Sequence, residues 1–429
     1  MNISYLRTSK MNQIRNIKGT HDILPEDSRK WQELECIINE VCSQFGYHEI
    51  RTPIFEETGL FSRSVGEETD IVSKEMYSWE DKDGTSLTLR PELTAPVARA
   101  YIQHNLASKS PLQRLFYMGP LFRRERPQKG RQRQFHQFGV EAFGSSNPEQ
   151  DAEVIAIAWQ ILFRCDLIKD ISLNLNSIGS KECRNEYRNA LKDFLSPLLD
   201  QLSETSQKRF LNNPLRILDT KSEKELELLK DAPKISNYFS EDDHTHFESL
   251  KSFLESMNIP FSINDKLVRG LDYYTRTVFE FNSTKLGAQD AILGGGRYDG
   301  LVEILGGKST PGIGFAAGME RFLIAMDDEK VTNSSIDIYF VCLDEYGLSK
   351  TLQLSNQLRS SGLKVISDPL RRSMKSQLRD ANRSGARFAL ILGETEMNDG
   401  TVGFKDLEKG IQKTILQSEV LNFFDNLTN

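Results

Sequence analysis

Six cations crowd the stretch from Arg123 to Arg133, namely Arg123, Arg124, Arg126, Lys129, Arg131 and Arg133, with Glu125 as the one acid among them. Arginine's planar fork donates two parallel hydrogen bonds, so a cluster of this kind suits phosphate oxygens. A solvated basic loop is the plainer reading of most charge runs. The flanking sequence argues for more. Gln134 to Phe143 alternates in the manner of a half-buried strand, and Leu115 to Met118 reads as a second one, which predicts two antiparallel strands joined by a long cationic loop. Gln137 and Glu141 fall on the side opposite Phe138 and Val140. Polar groups at period two in an otherwise apolar strand point to a lined pocket beside a phosphate-handling site.

Other residues extend this picture. Gly318 followed by Arg321 places an arginine on the first turn of a helix, and Arg123 and Arg321, on opposite sides of a sheet, could sandwich a triphosphate. Gly294, Gly295 and Gly296 would let a ligand approach the backbone, though a tight hairpin explains them equally well. Ser86 to Pro96 reads as a strand entering a turn, with Arg90, Glu92 and Thr94 at period two on one face. Three fragments are decoys. Gly306 to Thr310 ends like a Walker loop but lacks its first glycine and follows helical sequence. Gly312 to Ala317 has no acid at the distance a dinucleotide turn requires. Ser373 to Ser376 faintly resembles a nucleotide-binding lysine loop but has no Rossmann domain around it. Far along the chain Arg371, Lys375, Arg379, Arg383 and Arg387 recur every four residues, so the first four would form one cationic helical stripe. Such a stripe fits nucleic-acid phosphates or a merely solvated face.

The elements that must hold these residues follow from periodicity. A helix is predicted from Glu26 to Phe45, a strand over Ile50 to Ile54, and an amphipathic helix from Glu149 to Asp166. Residues 181–260 are helical, charged and glycine-poor, which looks like an insertion. Strands are expected at Leu267 to Tyr274 and Thr277 to Phe281, a glycine turn at Ala291 to Leu301, and a strand running into a helix from Pro311 to Leu323. A linker at Asp327 to Ser335 would separate residues 1–330 from a second domain at 331–429. There, strand, helix, strand, basic helix and strand alternate as in a small α/β unit with a largely parallel sheet.

At 429 residues the chain is long enough for two or three domains, with an ordinary 38% hydrophobic and 27% charged content. A net charge of -7 gives no general reason to expect nucleic acid, so any such partner must meet local basic patches. Five scattered cysteines without a C-x-x-C pair argue for reduced thiols and against zinc. No histidine has metal-ligand spacing, and His244 and His246, in an acidic stretch, are expected at the surface. No apolar run approaches the length of a membrane span. The first twenty-one residues carry Arg7, Lys10, Arg15 and Lys18 and no acid, as transit peptides do, but the segment is short and Met11 offers a second start. A cytoplasmic protein is expected.

Taken together the motifs resemble those of the class II aminoacyl-tRNA synthetases and, within them, the histidyl-tRNA synthetase family, over nearly the whole chain from Lys18. Gly46 to Pro53 resembles the first class motif, Phe122-Arg123-Arg124-Glu125 the core of the second, and Gly314 to Arg321 the third. Arg269-Gly270-Leu271-Asp272-Tyr273-Tyr274 and Gly294 to Gly300 (GGGRYDG) resemble the motifs specific for histidine. Leu93 stands where many bacterial relatives have glycine.

The resemblance implies an α+β fold: an antiparallel sheet flanked by helices, a helical insertion and a C-terminal α/β anticodon-binding domain. It implies activation of histidine by ATP, with Mg2+ bound to the nucleotide, then transfer to tRNA(His). Arg123 would bridge the amino-acid carboxylate and the α-phosphate. Glu125 would hold the adenine end, Arg131 and Arg321 the outer phosphates, and Arg269 would be the catalytic cation. Glu92, Thr94 and Gln137 would bind the α-ammonium, with Leu93 between them. Glu141 and Tyr274 would read the imidazole nitrogens, with Tyr273 beside them. Arg371, Lys375, Arg379 and Arg383 would meet tRNA, and Gly46 to Pro53 would build a homodimer interface. No resident metal and no membrane are implied. The competing expectation is a synthetase-like regulatory subunit of histidine biosynthesis without catalysis. Such paralogues typically lack the anticodon domain and erode the arginine motifs, and this chain keeps both. An ATP-sensing or RNA-binding module without chemistry would leave Arg269 and Arg123 unexplained.

Overall fold

A computed structural model describes residues 13–66, 69, 71–128, 130–218, 220, 222–268, 273–287, 290–326 and 336–428. The chain divides into two compact units, residues 1–328 and 329–429.

The first unit begins with helix α1 (Pro25–Gln44), which carries proline at its start, where no N–H is needed, and Glu26 and Asp27 at its positive end. Then come β1 (His48–Glu49), β2 (Phe55–Glu57), α2 (Thr58–Val65), β3 (Tyr77–Glu80), β4 (Ser86–Leu89) and α3 (Thr94–Gln103). The long hairpin β5 (Gln113–Phe122) and β6 (Gln134–Phe143) precedes α4 (Pro148–Arg164) and β7 (Ile171–Ser177). Four helices follow, α5 (Lys181–Leu195), α6 (Glu204–Asn212), α7 (Glu223–Leu228) and α8 (Glu241–Ser256). The unit closes with β8 (Ser262–Ile263), β9 (Thr275–Ser283), β10 (Ala291–Arg297), α9 (Leu301–Ile304), β11 (Gly312–Gly318) and α10 (Met319–Ala325).

Among the described residues one eight-stranded sheet runs in the order β1-β5-β6-β11-β10-β9-β7-β8, antiparallel from β5 through to β7. Strand alternation gives the sheet two faces. One face is dry: Phe138, Val140, Phe279, Phe281 and Phe315 pack on Leu34 and Ile38 of α1, Ile157 and Ile161 of α4, Phe247 and Leu250 of α8, and Phe322 of α10. Each such fully buried side chain stabilises the fold by about 1.5–3 kcal/mol. The opposite face carries Tyr117, Gln137 and Glu141 and holds the site. A second apolar cluster rims that face, drawing on α3, Tyr273, Tyr274, Tyr298 and α5.

The second unit contains β12 (Ile338–Cys342), α11 (Glu345–Ser360), β13 (Val365–Ser367), α12 (Met374–Arg383), β14 (Phe388–Leu392), α13 (Glu394–Asn398), β15 (Thr401–Asp406), β16 (Gln412–Leu416) and α14 (Val420–Thr428). Its sheet order is β13-β12-β14-β15-β16. The three strands read from the sequence are parallel, but β15 and β16 add an antiparallel hairpin, so the sheet is mixed.

Several expectations are corrected. No strand covers Ile50–Ile54: Arg90 takes the carbonyls of Thr52 (2.7 Å) and Pro53 (3.1 Å), and Pro53 has no N–H to offer a ladder. Arg90 therefore points away from Glu92 and Thr94, and β4 ends at Leu89. The segment expected as a strand over Leu267–Tyr274 carries no strand at its described residues Leu267, Val268, Tyr273 and Tyr274. Tyr273 and Tyr274 are neighbours whose rings lie 4.7 Å apart, whereas strand geometry would send them to opposite faces. The triple glycine is no turn but lies inside β10, between β9 and β11, where a Cβ on Gly295 would overlap the carbonyl of Gly314. His246 is not a surface residue: helical period puts it on the buried face of α8 with Phe247 and Leu250, while His244 stays exposed. Arg371 precedes α12 in a left-handed conformation (φ 51°) and pairs with Glu345, so the helical stripe reduces to the exposed Lys375, Arg379 and Arg383. Arg387 lies beyond the helix, over the ring of Phe388.

Candidate active site

Two cavities open on the polar face of the large sheet. The first, about 210 Å³, is lined by Arg123, Glu125, Gly130, Arg131, Gln132, Phe135, Gln137, Glu320 and Arg321, together with Ala291, Ile292, Leu293 and Gly294 of β10 and Ala316 and Gly318 of β11. The second, about 230 Å³, is lined by Ile71, Glu92, Leu93, Thr94, Arg123, Gln137, Glu141, Tyr273, Tyr274, Gly294, Tyr298 and Gly314–Ala316. Arg123, Gln137, Gly294 and Ala316 belong to both. Arg123 and Arg321 thus share one cavity on a single face, rather than standing on opposite sides of the sheet.

The first cavity is cationic. Arg123 leaves the end of β5, donates from Nε to the carbonyl of Pro91 (2.9 Å) and lies over the ring of Phe135 at 5.2 Å. Glu125 stands between Arg131 (3.1 Å) and Arg123 (3.9 Å). Arg321, on the first turn of α10, donates to the carbonyl of Ala291. Burial lowers the pKa of Arg123, and burial followed by the neighbouring Arg131 lowers that of Arg321. Both stay protonated in any case, so each guanidinium carries the cost of burying a charge. An anion entering this cavity would relieve that. Glu320 is already engaged, its carboxylate accepting from the backbone N–H of His136 and lying 3.0 Å from the His136 ring.

The second cavity is built on buried carboxylates. Glu92 (5% exposed) caps α3, accepting from the N–H groups of Thr94 (2.7 Å) and Ala95 (3.0 Å); burial nevertheless raises its pKa. Leu93 is the N-cap residue, buried on the cavity wall. Glu141, on β6, is 1% exposed and accepts from the hydroxyls of Thr94 (2.7 Å), Tyr117 (3.1 Å) and Tyr298. Burial pushes its pKa up to about 8, against the pull of those three donors. Gly314 faces Glu141 across β11 and β6, and a Cβ there would overlap the carboxylate, which is the physical reason for that glycine.

Of the residues expected from sequence, Glu92, Leu93, Thr94, Arg123, Glu125, Arg131, Gln137, Glu141, Tyr273, Tyr274 and Arg321 all line these two cavities. Arg269 lies outside the described residues. Lys375, Arg379 and Arg383 lie on α12 of the second unit, with Arg371 in the loop before it. Sequence reasoning missed Tyr117 and Tyr298 as partners of Glu141. Tyr298 sat in plain view within the GGGRYDG run, whereas nothing in the alternation of β5 distinguishes Tyr117 from a core residue.

Residues 19–322 match the family model described as histidyl-tRNA synthetase, and residues 337–427 match that of an anticodon binding domain. The chain is 46% identical over 413 residues to the histidine–tRNA ligase of Halothermothrix orenii, covering 96% of this chain and 98% of the relative. It is likewise 46% identical to that of Lysinibacillus sphaericus, over 95% of this chain and 97% of the relative. The crystal structure of apo Staphylococcus aureus histidyl-tRNA synthetase superposes with a TM-score of 0.82 at 37% identity, covering 96% of this chain and all of that one. With both cavities, the sheet and the full-length match in agreement, the chain belongs to the histidyl-tRNA synthetase family.

Proposed function

We propose that this chain is an ATP-dependent histidine–tRNA ligase. It joins L-histidine to ATP as histidyl-adenylate with release of diphosphate, then passes the histidyl group to tRNA(His) with release of AMP. The observation that carries this reading is the shared wall: a pocket built on buried carboxylates and a pocket built on arginines meet at Arg123 and Gln137. An amino acid in the one can present its carboxylate to a nucleotide in the other. The 46% identity over almost the whole length and the matched anticodon-binding model favour the ligase over a regulatory paralogue.

In the first step a histidine carboxylate oxygen attacks the α-phosphorus, a P–O bond forms, and the bond to the diphosphate breaks. The reaction needs alignment and stabilisation of phosphate charge more than a strong base. Arg123 is suited to bridge carboxylate and α-phosphate, Arg131 and Arg321 to hold the outer phosphates, and Glu125 the adenine end. Arg269 is assigned as the catalytic cation on the strength of its motif. ATP enters as its magnesium complex, the metal travelling with the phosphate oxygens as part of the substrate. Glu92, Thr94 and Gln137 would receive the α-ammonium beside Leu93, and Glu141, Tyr273 and Tyr274 the imidazole. In the second step a hydroxyl of the terminal ribose attacks the acyl carbon and AMP leaves. Arg371, Lys375, Arg379 and Arg383 are proposed to neutralise tRNA phosphates. A homodimer joined through Gly46 to Pro53 and a cytoplasmic location complete the proposal.

Histidine-dependent exchange of diphosphate into ATP tests the reading, with other amino acids as controls and Arg269→Ala alongside. Exchange with histidine alone, lost in the variant, is the expected result. No exchange by folded protein that still binds histidine would overturn it in favour of the regulatory subunit.

A further inference from the structure

Asp243 occupies a junction that the reaction as described does not use. It lies in the first turn of α8, is 1% exposed, and forms a capping box with Ser240. Its Oδ1 accepts from the backbone N–H of Ser180 (3.1 Å) and from Arg276 Nε (3.1 Å), and its Oδ2 from the hydroxyls of Ser180 (3.0 Å) and Ser240 (2.9 Å). One carboxylate therefore ties together the start of α8, the N-cap of α5 and the start of β9. Burial opposes its charge, yet the bonds from Ser240 and Ser180 and the charge of Arg276 hold its carboxyl below the usual range.

Arg276 is the unusual member of this set. Its φ is 46°, in the left-handed region that residues with a Cβ avoid. The backbone on both sides of α5's entry turn is locked to it: its N–H donates to the carbonyl of Gly179 (2.8 Å), and its carbonyl accepts from the N–H of Ile178 (2.7 Å). Across the sheet, Gly296 pairs with Val278 but Arg297 pairs with Thr275, so Arg276 and Thr277 are extra residues in a bulge. Bulges bend a strand and re-aim its side chains, often beside active sites. Thr275 alone separates Arg276 from Tyr273 and Tyr274, which wall the second cavity. A second tie reaches the same wall, because Arg184 of α5 donates to the carbonyl of Tyr274 at 2.5 Å.

We propose that Asp243, on α8, is a positioning residue for the histidine pocket: it holds Arg276 in the left-handed bulge and thereby sets the Tyr273–Tyr274 wall. The proposal rests on reading this cavity as the histidine pocket. Tested on the full-length protein by diphosphate exchange, Asp243→Asn raises KM for histidine on the order of tenfold while kcat and KM for ATP stay within about twofold of the wild type. Arg276→Gly stays close to the wild type, since glycine adopts a left-handed φ without a tether. The double variant Asp243→Asn/Arg276→Gly recovers most of the lost histidine affinity. A role confined to capping α8 predicts no such rescue, so a double variant as impaired as Asp243→Asn overturns the inference, as does an unchanged KM in Asp243→Asn. Should Asp243→Asn fail to fold, Arg276→Ala and Arg276→Gly decide the question. Alanine keeps the conformational cost and loses the tether, so it raises KM for histidine where glycine does not, and equal effects overturn the inference. A wild-type protein without histidine-dependent exchange overturns the functional reading and this inference together, an outcome distinct from every variant result above.

Discussion

Two buried carboxylates in the first unit are treated in opposite ways. Asp151 on α4 is fully buried and finds its partners within the protein. Arg297 Nε donates to one oxygen at 2.8 Å, while the Thr277 hydroxyl (2.6 Å) and a ring nitrogen of His246 (2.8 Å) meet the other. Arg297, equally buried, completes itself on Asp299 and on the carbonyls of Ser145 and Asn147. Glu141 is as deeply placed but receives three neutral hydroxyls and, among the described residues, no cation. A buried carboxylate is tolerated when a charge and hydrogen bonds compensate it. Asp151 is finished in that sense and lines neither cavity. Glu141 is unfinished and faces a cavity, as a group does when the missing donors belong to a ligand.

The strongest way to break this contrast is Asp151→Asn. Removing one charge of a buried pair leaves the other uncompensated, which costs about 3–5 kcal/mol. The expected result in denaturant unfolding is a large loss of midpoint for the first unit, with exchange activity per folded molecule little changed. A loss under about 1 kcal/mol would mean that Arg297 is satisfied by its carbonyls and Asp299 without Asp151.

Glu141→Gln should do the reverse, sparing stability and damaging activity. Leaving a buried polar partner mispaired costs about 1–3 kcal/mol, so kcat/KM for histidine in the exchange reaction should fall about ten- to a hundredfold. The pH behaviour separates the two carboxylates further. The folded-state pKa of Glu141, about 8, lies above its ordinary value of 4.5. The folded chain therefore holds this proton more tightly than the unfolded one. The resulting stability is fully present below about pH 4.5 and is lost as pH rises through about 8. Glutamine removes the titration, so melting temperatures followed from pH 5 to 9 should flatten relative to the wild type. A wild-type curve with no downward limb toward pH 8 would refute the assignment.

The contrast also explains what was legible in the sequence. The arginines of the cationic loop, the alternation of β6 and the two histidine-type motifs could be read because each depends on local spacing, and from them the structure brings Arg123, Arg131, Gln137, Glu141, Tyr273, Tyr274, Gly294 and Tyr298 to the two cavities. What stayed hidden depends on long-range partners. Period two put Arg90 on one face with Glu92 and Thr94, yet its partners are the carbonyls of Thr52, Pro53 and Pro120, which only the fold brings near. His246 looked solvated because Glu241 and Asp242 precede it, but those acids serve the positive end of α8 while the next turn goes inward. The glycines at 294–296 read as a turn since nothing local announces that a neighbouring strand will press on them. Tyr117 belongs to the same class, a residue whose hydroxyl matters only because β6 sets Glu141 beside it.

Tyr117→Phe is accordingly the finest probe of the comparison. It removes one of the three donors on Glu141 and keeps the ring that packs in the core. Thr94 and Tyr298 remain, so the expected cost is about 1 kcal/mol, or roughly a fivefold rise in KM for histidine with KM for ATP unchanged. The lost hydroxyl had favoured the ionised carboxylate, so its removal raises the Glu141 pKa further, and the downward limb of the stability curve moves to higher pH. The two readouts must move together if the hydroxyl acts through Glu141. A raised KM with an unmoved limb would place Tyr117 in contact with histidine itself, and a moved limb with an unchanged KM would show that the charge state of Glu141 does not govern histidine binding.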